Sequence, residues 1–257
     1  MRLPSTLARP QSSNVQPVAC IPGIPVQFIH HALRENAPQT LAGIIALASH
    51  LPRTIPKSHL QPAITVPLTG LSTSAQPPSH VLALSSVPSE NQRSDTPQAL
   101  FFIHAIILTT YCTNIRAMAY SFTSESSHAT LPIHPLTLPS VPAFAILYDW
   151  MYTYRLDAAL GSLLPFRLEF LERVSQRGAA EISTALASGD ICLALANHLC
   201  HTASSNCAAL FAHVGHIKEL WQDMVFLGIC HAELWSMLDL AWKVLLVALH
   251  LAVQYSS

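Results

Sequence analysis

The sequence predicts an α+β fold in which short strands and helices come first and a mostly α-helical C-terminal part follows. Eighteen of the 19 prolines lie before residue 143, whereas all four tryptophans lie after it. Because proline removes a backbone donor and breaks helix interiors, the first part has to use strands, short helices and loops. Formal net charge also changes at this boundary, from +3 over residues 1–141 to −4 over residues 142–257. The two parts therefore differ in architecture as well as in composition.

Composition narrows the functions that this chain can have. Hydrophobic residues make up 51 % of the 257 residues, and charged residues only 11 %, against roughly 25 % in ordinary soluble domains. The net charge of −1 argues against direct, specific nucleic-acid binding, which needs a basic surface that faces the phosphates. The longest apolar runs, residues 100–112 and 244–253, are shorter than the roughly 20 residues of a membrane span. We therefore expect a sizeable core, no direct contact with nucleic acid and no membrane.

Residues 1–23 are rich in proline, serine and glutamine and show no hydrophobic periodicity. This composition is typical of a disordered arm, and Pro4 and Pro10 interrupt the apolar stretch that a secretory signal needs. Without a signal for an oxidising compartment, we expect reduced cysteines and a nuclear or cytoplasmic protein. The rest of the chain is then one continuous unit, with an α+β part over residues 24–165 and a helical part over 166–257 packed on it.

The first part alternates short helical and strand patterns. Apolar residues spaced three and four apart predict helices, whereas short β-branched or alternating runs bounded by glycine and proline predict strands. The predicted helices are 26–34, 39–50 and 104–112, and the predicted strands are 63–68, 80–84, 100–103 and 136–138. The polar segments 89–97 and 121–127 are interpreted as loops.

Helical patterns dominate from Ser140 onwards. Ser140 is an N-cap candidate, because it precedes Pro142 and a long apolar run. The predicted helices cover residues 143–155, 157–164, 166–187, 191–200, 206–227 and 233–252. The 206–227 helix carries one apolar stripe, whereas the 233–252 helix is apolar nearly all round. All-round apolarity requires neighbours on two sides, from this chain or from a partner.

None of the catalytic motifs that we sought is present. The chain lacks a Gly-x-Ser-x-Gly elbow, a phosphate-binding Gly-Lys-Ser/Thr loop and a Gly-x-Gly-x-x-Gly turn. Asp149 and Asp157 lie eight residues apart among aromatic residues, but no base, nucleophile or oxyanion donor accompanies them. We interpret Asp157 as a cap of the helix that follows, and we expect no enzymatic activity, no catalytic residue and no cofactor.

The strongest group of metal-ligand residue types lies between residues 198 and 216. It comprises His198, Cys200, His201, Cys207, His213 and His216. Structural zinc sites typically leave about two to four residues between paired cysteines and about three to five between paired histidines, and neither spacing occurs here. We therefore expect imidazoles at the rim of a helical hairpin and no bound metal. A metal or enzyme site on the Cys/His-rich helices 191–231 is the alternative.

Three segments, in this order, resemble the BTB/POZ interaction fold. LFFIHAIILTTYC (100–112) is similar to its strand-histidine-helix element, with His104 in the place of its recurrent histidine. HPLTLPS (134–140) is similar to its later short strand, and AFAILYDWMYTYRL (143–156) resembles its helix that ends in an aromatic-Tyr-Thr-Gly turn. Tyr154 replaces the glycine of that turn, which is the residue that tolerates positive φ. The resemblance implies a BTB/POZ-like small sheet with helices in the first part.

A longer resemblance extends over most of residues 24–252. Its segments are PPSHVLAL (77–84), LFFIHAIILTTYCTNI (100–115), HPLTLPSVPAFAILYDWMYTYRLDAALGSLLP (134–165) and HVGHIKELWQDMVFLGICHAELWSMLDLAWKVLLVAL (213–249). They are similar to the clampless-type proteins of mushroom-forming fungi, which regulate clamp-cell formation in sexual development. The resemblance implies a nuclear, non-enzymatic regulator that acts through protein partners, transcriptional regulators among them, or through self-association. Residues 1–23 and 166–190 lie outside it.

Three tryptophans are the candidates for a protein-interaction surface: Trp221, Trp235 and Trp242. The two helices that carry them present more apolar surface than a short hairpin buries internally, and binding hot spots favour tryptophan. We expect Trp235 or Trp242 to be partly exposed and to dock a partner or a second copy, with simple core packing as the alternative. Two further alternatives are a BTB-like adaptor of another pathway and a degraded reading frame, and the helical stripes through 206–252 argue against the latter.

Overall fold

The computed structural model describes residues 3–9, 25–87, 96–115, 118, 123–125, 127–204 and 206–255. The strands are β1 (Thr54–Pro56), β2 (Ala63–Pro67), β3 (His80–Ser86), β4 (Pro97–Ile103), β5 (Thr123–Glu125) and β6 (His128–Leu138). The helices are α1 (Val26–Glu35), α2 (Ala37–Leu47), α3 (Ala105–Tyr111), α4 (Val141–Thr153), α5 (Leu156–Leu163), α6 (Leu168–Arg177), α7 (Ala179–Ala187), α8 (Gly189–Thr202), α9 (Cys207–Leu227) and α10 (Ala232–Tyr255). The α+β prediction is confirmed, with a helical C-terminal part.

The strands form one mixed sheet in the order β1-β4-β3-β6-β2, and β5 also pairs with β6. Strands β3 and β6 are parallel, and the other pairs are antiparallel. Strand β6 is long enough to pair with β2 through residues 128–132 and with β3 through residues 133–138. Residues 81–84 of β3 are fully buried. Because successive side chains point to opposite faces, both faces of this central strand are covered.

Most predicted elements occur close to their expected bounds, and the differences have local causes. Strands β1 and β5 were not predicted, because each has only three residues and forms by pairing with a longer strand. Strand β6 starts eight residues before the predicted strand 136–138, since Pro132 and Pro135 obscure its pattern. The predicted helix 166–187 is two helices, because Gly178 turns the chain with a φ of 56°. Parts of the predicted loops lie outside the described residues.

Helix α4 begins and ends with two residues that the sequence singles out. The hydroxyl of Ser140, its N-cap, accepts from the Ala143 N–H at 3.3 Å, as predicted. Tyr154, its C-cap, has a φ of 56°, so this turn forms without glycine. The Tyr111 hydroxyl donates to the Tyr154 hydroxyl at 2.9 Å, and the Arg34 guanidinium lies 5.0 Å from the Tyr154 ring centre. These contacts help to offset the roughly 1–2 kcal/mol that a non-glycine residue loses there.

The helical part docks on the first part near the end of α9. The Ser140 N–H donates to Asp223 Oδ1 at 2.9 Å, and the Ser140 hydroxyl donates to Glu219 Oε2 at 2.8 Å. The Thr113 hydroxyl donates to the Gly228 carbonyl at 2.7 Å. A Cβ at Gly228 would lie 2.3 Å from Thr113 Oγ1, and the φ of Gly228 is 71°. Both the close approach and the turn therefore require glycine at this position.

Helix α10 is the centre of the helical part. It packs against α5, α7, α8 and α9, and eleven of its residues are buried. In the part of the chain that the structure describes, α10 is long and apolar enough to cross a membrane, and α7 with α8 passes that test only as one span bent by 96°. Half of the most apolar window of α10 is buried inside the protein. The absence of a membrane partner stays a prediction.

His104 joins the end of β4 to α3 and is buried. The Tyr152 hydroxyl accepts from the His104 backbone N–H at 2.9 Å and lies 3.1 Å from Nδ1, to which it donates. Nε2 then carries the ring proton and donates to the Gln76 carbonyl at 3.2 Å. Burial lowers the pKa of His104 to about 4, although the bond to the Gln76 carbonyl favours the charged form. The imidazole is therefore neutral at pH 7.

Folding stability depends on pH through His104. Its pKa is 6.5 ordinarily and about 4 in the fold, so the unfolded chain binds more protons between these values. The free energy of unfolding therefore falls as the pH falls from 6.5 toward 4. His104→Gln is expected to make this fall shallower in chemical denaturation at about pH 7 and about pH 4.5. His59→Gln, at an exposed histidine, is the matched control. The same pH dependence in both variants would contradict the prediction.

Asp223 gives the opposite pH dependence. Burial raises its pKa to about 7 from an ordinary 3.8, the Ser140 N–H opposes this shift and the Glu219 carboxylate adds to it. The stability that this group contributes is fully present below pH 3.8 and is lost as the pH rises toward 7. Asp223→Asn keeps an acceptor for Ser140, and its free energy of unfolding should fall less than that of the parent between about pH 5 and about pH 8. Asp149→Asn, at an exposed carboxylate, is the control and should show the same dependence of unfolding free energy on pH as the parent. If Asp223→Asn also shows the parent dependence, Asp223 is not the group responsible.

Candidate interaction site

The three candidate tryptophans lie on α9 and α10 and converge on one segment of the chain. Trp235 and Trp242 are 2 % and 4 % exposed, and Trp221 is partly buried. The expectation that Trp235 or Trp242 is partly exposed is therefore wrong for this chain. Residues 3–9, which the sequence places in a disordered arm, contact Trp242, whereas the Trp235 indole N–H is bound within the helical part by the Ile229 carbonyl. Residues 1, 2 and 10–23 of that arm lie outside the described residues.

Two of the tryptophans bind this segment through its main chain. The Trp242 indole N–H donates to the Pro4 carbonyl at 3.0 Å, and the Trp221 indole N–H donates to the Ala8 carbonyl at 2.7 Å. The acceptors are four residues apart in the segment. An indole N–H that is taken out of water needs an acceptor, and leaving it unpaired costs about 1–3 kcal/mol. The segment supplies both acceptors.

A third contact comes from the end of the segment. Arg9 forms an ion pair with Asp239 of α10, and its guanidinium lies 5.8 Å from the ring centre of Trp235. The ion pair is partly exposed, with 48 % of the Arg9 side chain and 28 % of the Asp239 side chain accessible. Exposed pairs contribute about 0–1 kcal/mol, so this contact orients the segment more than it holds it. The Trp235 N–H is used elsewhere, by the Ile229 carbonyl at 2.7 Å.

We name the surface formed by Trp221, Trp235, Asp239 and Trp242 the tryptophan groove. Along α10, the contacts run from Trp242, which binds Pro4, back to Asp239 and Trp235, which meet Arg9. The segment therefore runs antiparallel to α10. The groove combines donors for main-chain carbonyls, apolar ring faces and one carboxylate, which is the set of groups that binds an extended polypeptide.

The residues that occupy the groove were not predicted. Leu3 and Leu7 are the only residues of the described segment that are not exposed, and both pack against the core. The signal in the sequence is slight: two leucines four apart, and an arginine two residues later, inside a proline-rich stretch. Asp239 was also missed as a functional residue, because an isolated acid between apolar neighbours on a helix has the pattern of a solvated charge.

The Cys/His cluster does not form one site in the described part of the chain. There, no group of three or more His, Cys, Asp or Glu side chains is placed to hold a metal ion. His213 and His216 are neighbours, with ring centres 6.0 Å apart, but the His213 Nδ1–H donates to the Leu163 carbonyl at 3.2 Å. Cys200 is buried, and Cys207 is only partly accessible. Among the described residues of 191–231, the structure therefore shows no donor set for the metal alternative.

Asp149 and Asp157 do not form a catalytic pair. Asp149 is exposed on α4. Asp157 lies in the first turn of α5, and the N-cap position is two residues earlier, at Arg155. Asp157 is therefore not at the capping position that the sequence predicts. Burial opposes ionisation of Asp157, but its ion pair with Arg155 at 2.6 Å outweighs this effect and lowers the pKa. Asp157 is therefore a structural carboxylate.

A polar cleft of about 570 Å³ lies beside this pair. Three arginines line it: Arg34, Arg155 and Arg177. Each is paired within the chain, with Glu233 at 3.9 Å, Asp157 at 2.6 Å and Glu181 at 2.8 Å, respectively. Their charges are thus balanced by neighbouring carboxylates, which argues against an anion site in this cleft.

An open apolar cleft of about 760 Å³ lies where α1 and α2 meet Ile106 of α3. Phe28 and Ile106 line it and are 67 % and 45 % exposed. Exposed apolar surface of this kind is used by protein contacts. No contact among the described residues shows what covers it, so the tryptophan groove is the better supported site.

Comparison with known proteins agrees with the longer resemblance. Residues 7–139 match the Clampless protein 1 N-terminal domain, and residues 157–257 match the Clampless protein 1 C-terminal domain. The chain belongs to the Clampless protein 1 family. The second match includes residues 166–190, where the sequence alone shows no resemblance. The tryptophan groove lies within the match to the Clampless protein 1 C-terminal domain, whereas Leu7 to Arg9 of the segment that fills it lie within the match to the N-terminal domain.

No curated protein and no solved structure matches this member of the Clampless protein 1 family. The BTB/POZ-like character of the first part therefore stays a prediction.

The contact of Asp239 with Arg9 makes a measurable prediction. Asp239→Asn removes an exposed ion pair and should weaken docking of residues 3–9 by about 0.5–1 kcal/mol, or roughly two- to fivefold. Thermolysin, which cleaves before leucine, should then cut more rapidly at Leu7 under native conditions, with the melting temperature almost unchanged. Glu172→Gln removes an exposed carboxylate of α6 and is the control. Equal cleavage rates in the two variants would show that the ion pair does not hold the segment.

Proposed function

We propose that this protein is a non-enzymatic regulator of clamp-cell formation in fungal sexual development, and that it acts through protein–protein contacts at the tryptophan groove. Membership of the Clampless protein 1 family supports the developmental role. The observation that carries the contact mechanism is the groove itself, in which Trp221 and Trp242 donate to main-chain carbonyls of a non-helical segment. Main-chain hydrogen bonds with neighbouring side-chain contacts are a common mode of peptide recognition.

The charge distribution supports a protein partner over nucleic acid. The helical part carries a formal net charge of −4 over residues 142–257, and the groove presents Asp239. A carboxylate in the groove repels phosphate and favours a basic side chain, as its contact with Arg9 illustrates. We propose the nucleus as the place of action, with transcriptional regulators or a second copy of the chain as partners.

The proposal is tested in a clamp-forming fungus that lacks its own copy of the gene. The parent protein should restore clamp cells, and Asp239→Lys should fail at equal abundance, because it reverses the charge of the groove. Asp149→Lys makes the same change at an exposed acid of α4 and should restore clamp cells. Failure of the parent protein would refute the developmental role. Full restoration by Asp239→Lys would refute the role of the groove and leave the developmental role standing.

A further inference from the structure

The tryptophan groove is filled by the N-terminal segment of its own chain. We infer that residues 3–9 are a displaceable occupant, and that the groove binds a non-helical segment of a partner protein with the same chemistry. That chemistry is two leucines four positions apart and an arginine two positions after the second leucine. The inference rests on the proposed function, since it names the partner that the contact surface accepts.

The hydrogen bonds of the groove use only main-chain carbonyls of the bound segment. Both indole donors, on Trp221 and Trp242, bind carbonyl oxygens and touch no side-chain polar group of the segment. Their acceptors, Pro4 and Ala8, are on residues whose side chains are exposed. A different polypeptide presents the same carbonyls at the same spacing if it runs in the same direction. The two indoles therefore fix the position of the bound main chain and do not select its sequence.

Selectivity comes from three side chains of the segment. Leu3 and Leu7 turn inward against the core, whereas residues 4–6 and Ala8 are exposed. Arg9 meets Asp239 and the face of Trp235. A guanidinium over an indole face is a favourable pair, and the carboxylate fixes the end of the segment at which it lies. The pattern that the groove selects is therefore Leu-x-x-x-Leu-x-Arg.

The segment has the features of an exchangeable ligand. It forms no helix or strand, and five of its seven described residues are exposed. Fifteen residues separate Arg9 from Pro25, close to the start of α1. A tether of this length gives an effective concentration on the order of millimolar, so a weak contact is enough to fill the groove. A partner segment that binds more tightly, or that adds a second contact, displaces it.

A second copy of the chain could supply the same residues in exchange. The groove is, however, already occupied by the segment of the same chain. Exchange between copies would keep every contact and add none, so it has no advantage at low concentration. We therefore commit to a segment of a different protein as the exchanging partner.

The test uses the full chain and a fluorescent peptide of residues 3–9, LPSTLAR. A released variant, Leu7→Asp with Arg9→Glu, should eject its own segment and bind the peptide at least tenfold more tightly than the parent chain does. A peptide that carries the same two changes should not bind. Asp239→Lys added to the released variant should abolish binding of LPSTLAR, and Asp149→Lys should leave it unchanged. Fluorescence polarisation gives the affinities, and thermal unfolding confirms that each variant is folded.

The outcomes separate the inference from the proposed function. Absence of peptide binding to a folded released variant overturns the inference, and so does a parent chain that binds the peptide as tightly as the released variant. If the released variant is not folded, Arg9→Glu alone is measured against the same criteria. Light scattering shows whether the parent chain is a dimer. If it is, and if the two segment changes dissociate the dimer, the occupant is a second copy of the chain and the inference is also overturned. None of these results alters clamp-cell restoration by the parent protein, which tests the proposed function separately.

Discussion

The all-round apolar surface of helix α10 is the constraint on which the helical part depends. A helix of 24 residues without a polar face has to be covered on every side, and α5, α7, α8 and α9 cover most of it. Its three Asp, Glu or Lys side chains mark the positions where neighbours attach. Lys243 donates to the Leu186 carbonyl at the end of α7, Glu233 faces Arg34 of α1, and Asp239 binds Arg9. Each charge thus ties a separate segment to the same helix.

Helix α4 links the two parts of the chain, and both of its ends are held by other elements. Its sequence lies between the two family matches, which end at residue 139 and resume at residue 157. At its start, Ser140 is bound by two carboxylates of α9. At its end, Tyr154 is bound from α3, and near that end Tyr152 satisfies both the backbone and the ring of His104. His104 and Asp223, two buried groups with shifted pKa values, therefore hold opposite ends of one helix.

The parts of the fold that the sequence predicts are those with a local pattern. Helices α9 and α10 have apolar spacing that extends for five or more turns, and Ser140 before a proline defines a helix start. Strands β1 and β5 have no such pattern, because three residues become a strand only through the neighbour that they pair with. The tryptophans were predicted as candidates for an interaction surface, but the segment that contacts Trp221 and Trp242 was not predicted. Its contact with Trp221 joins residues 213 positions apart, and local periodicity carries no information at that separation.

The indole donors explain why the groove takes a non-helical chain. Within a helix the main-chain carbonyls are used by the helix itself, so a tryptophan that packs between helices finds few acceptors. Trp235 avoids this problem because it lies near the start of α10, within reach of the Ile229 carbonyl in the preceding loop. Trp221 and Trp242 lie in helix interiors, and their N–H groups are satisfied by Ala8 and Pro4. The main-chain carbonyls of a non-helical segment are still available. The groove therefore requires a non-helical main chain, whatever the sequence of the segment.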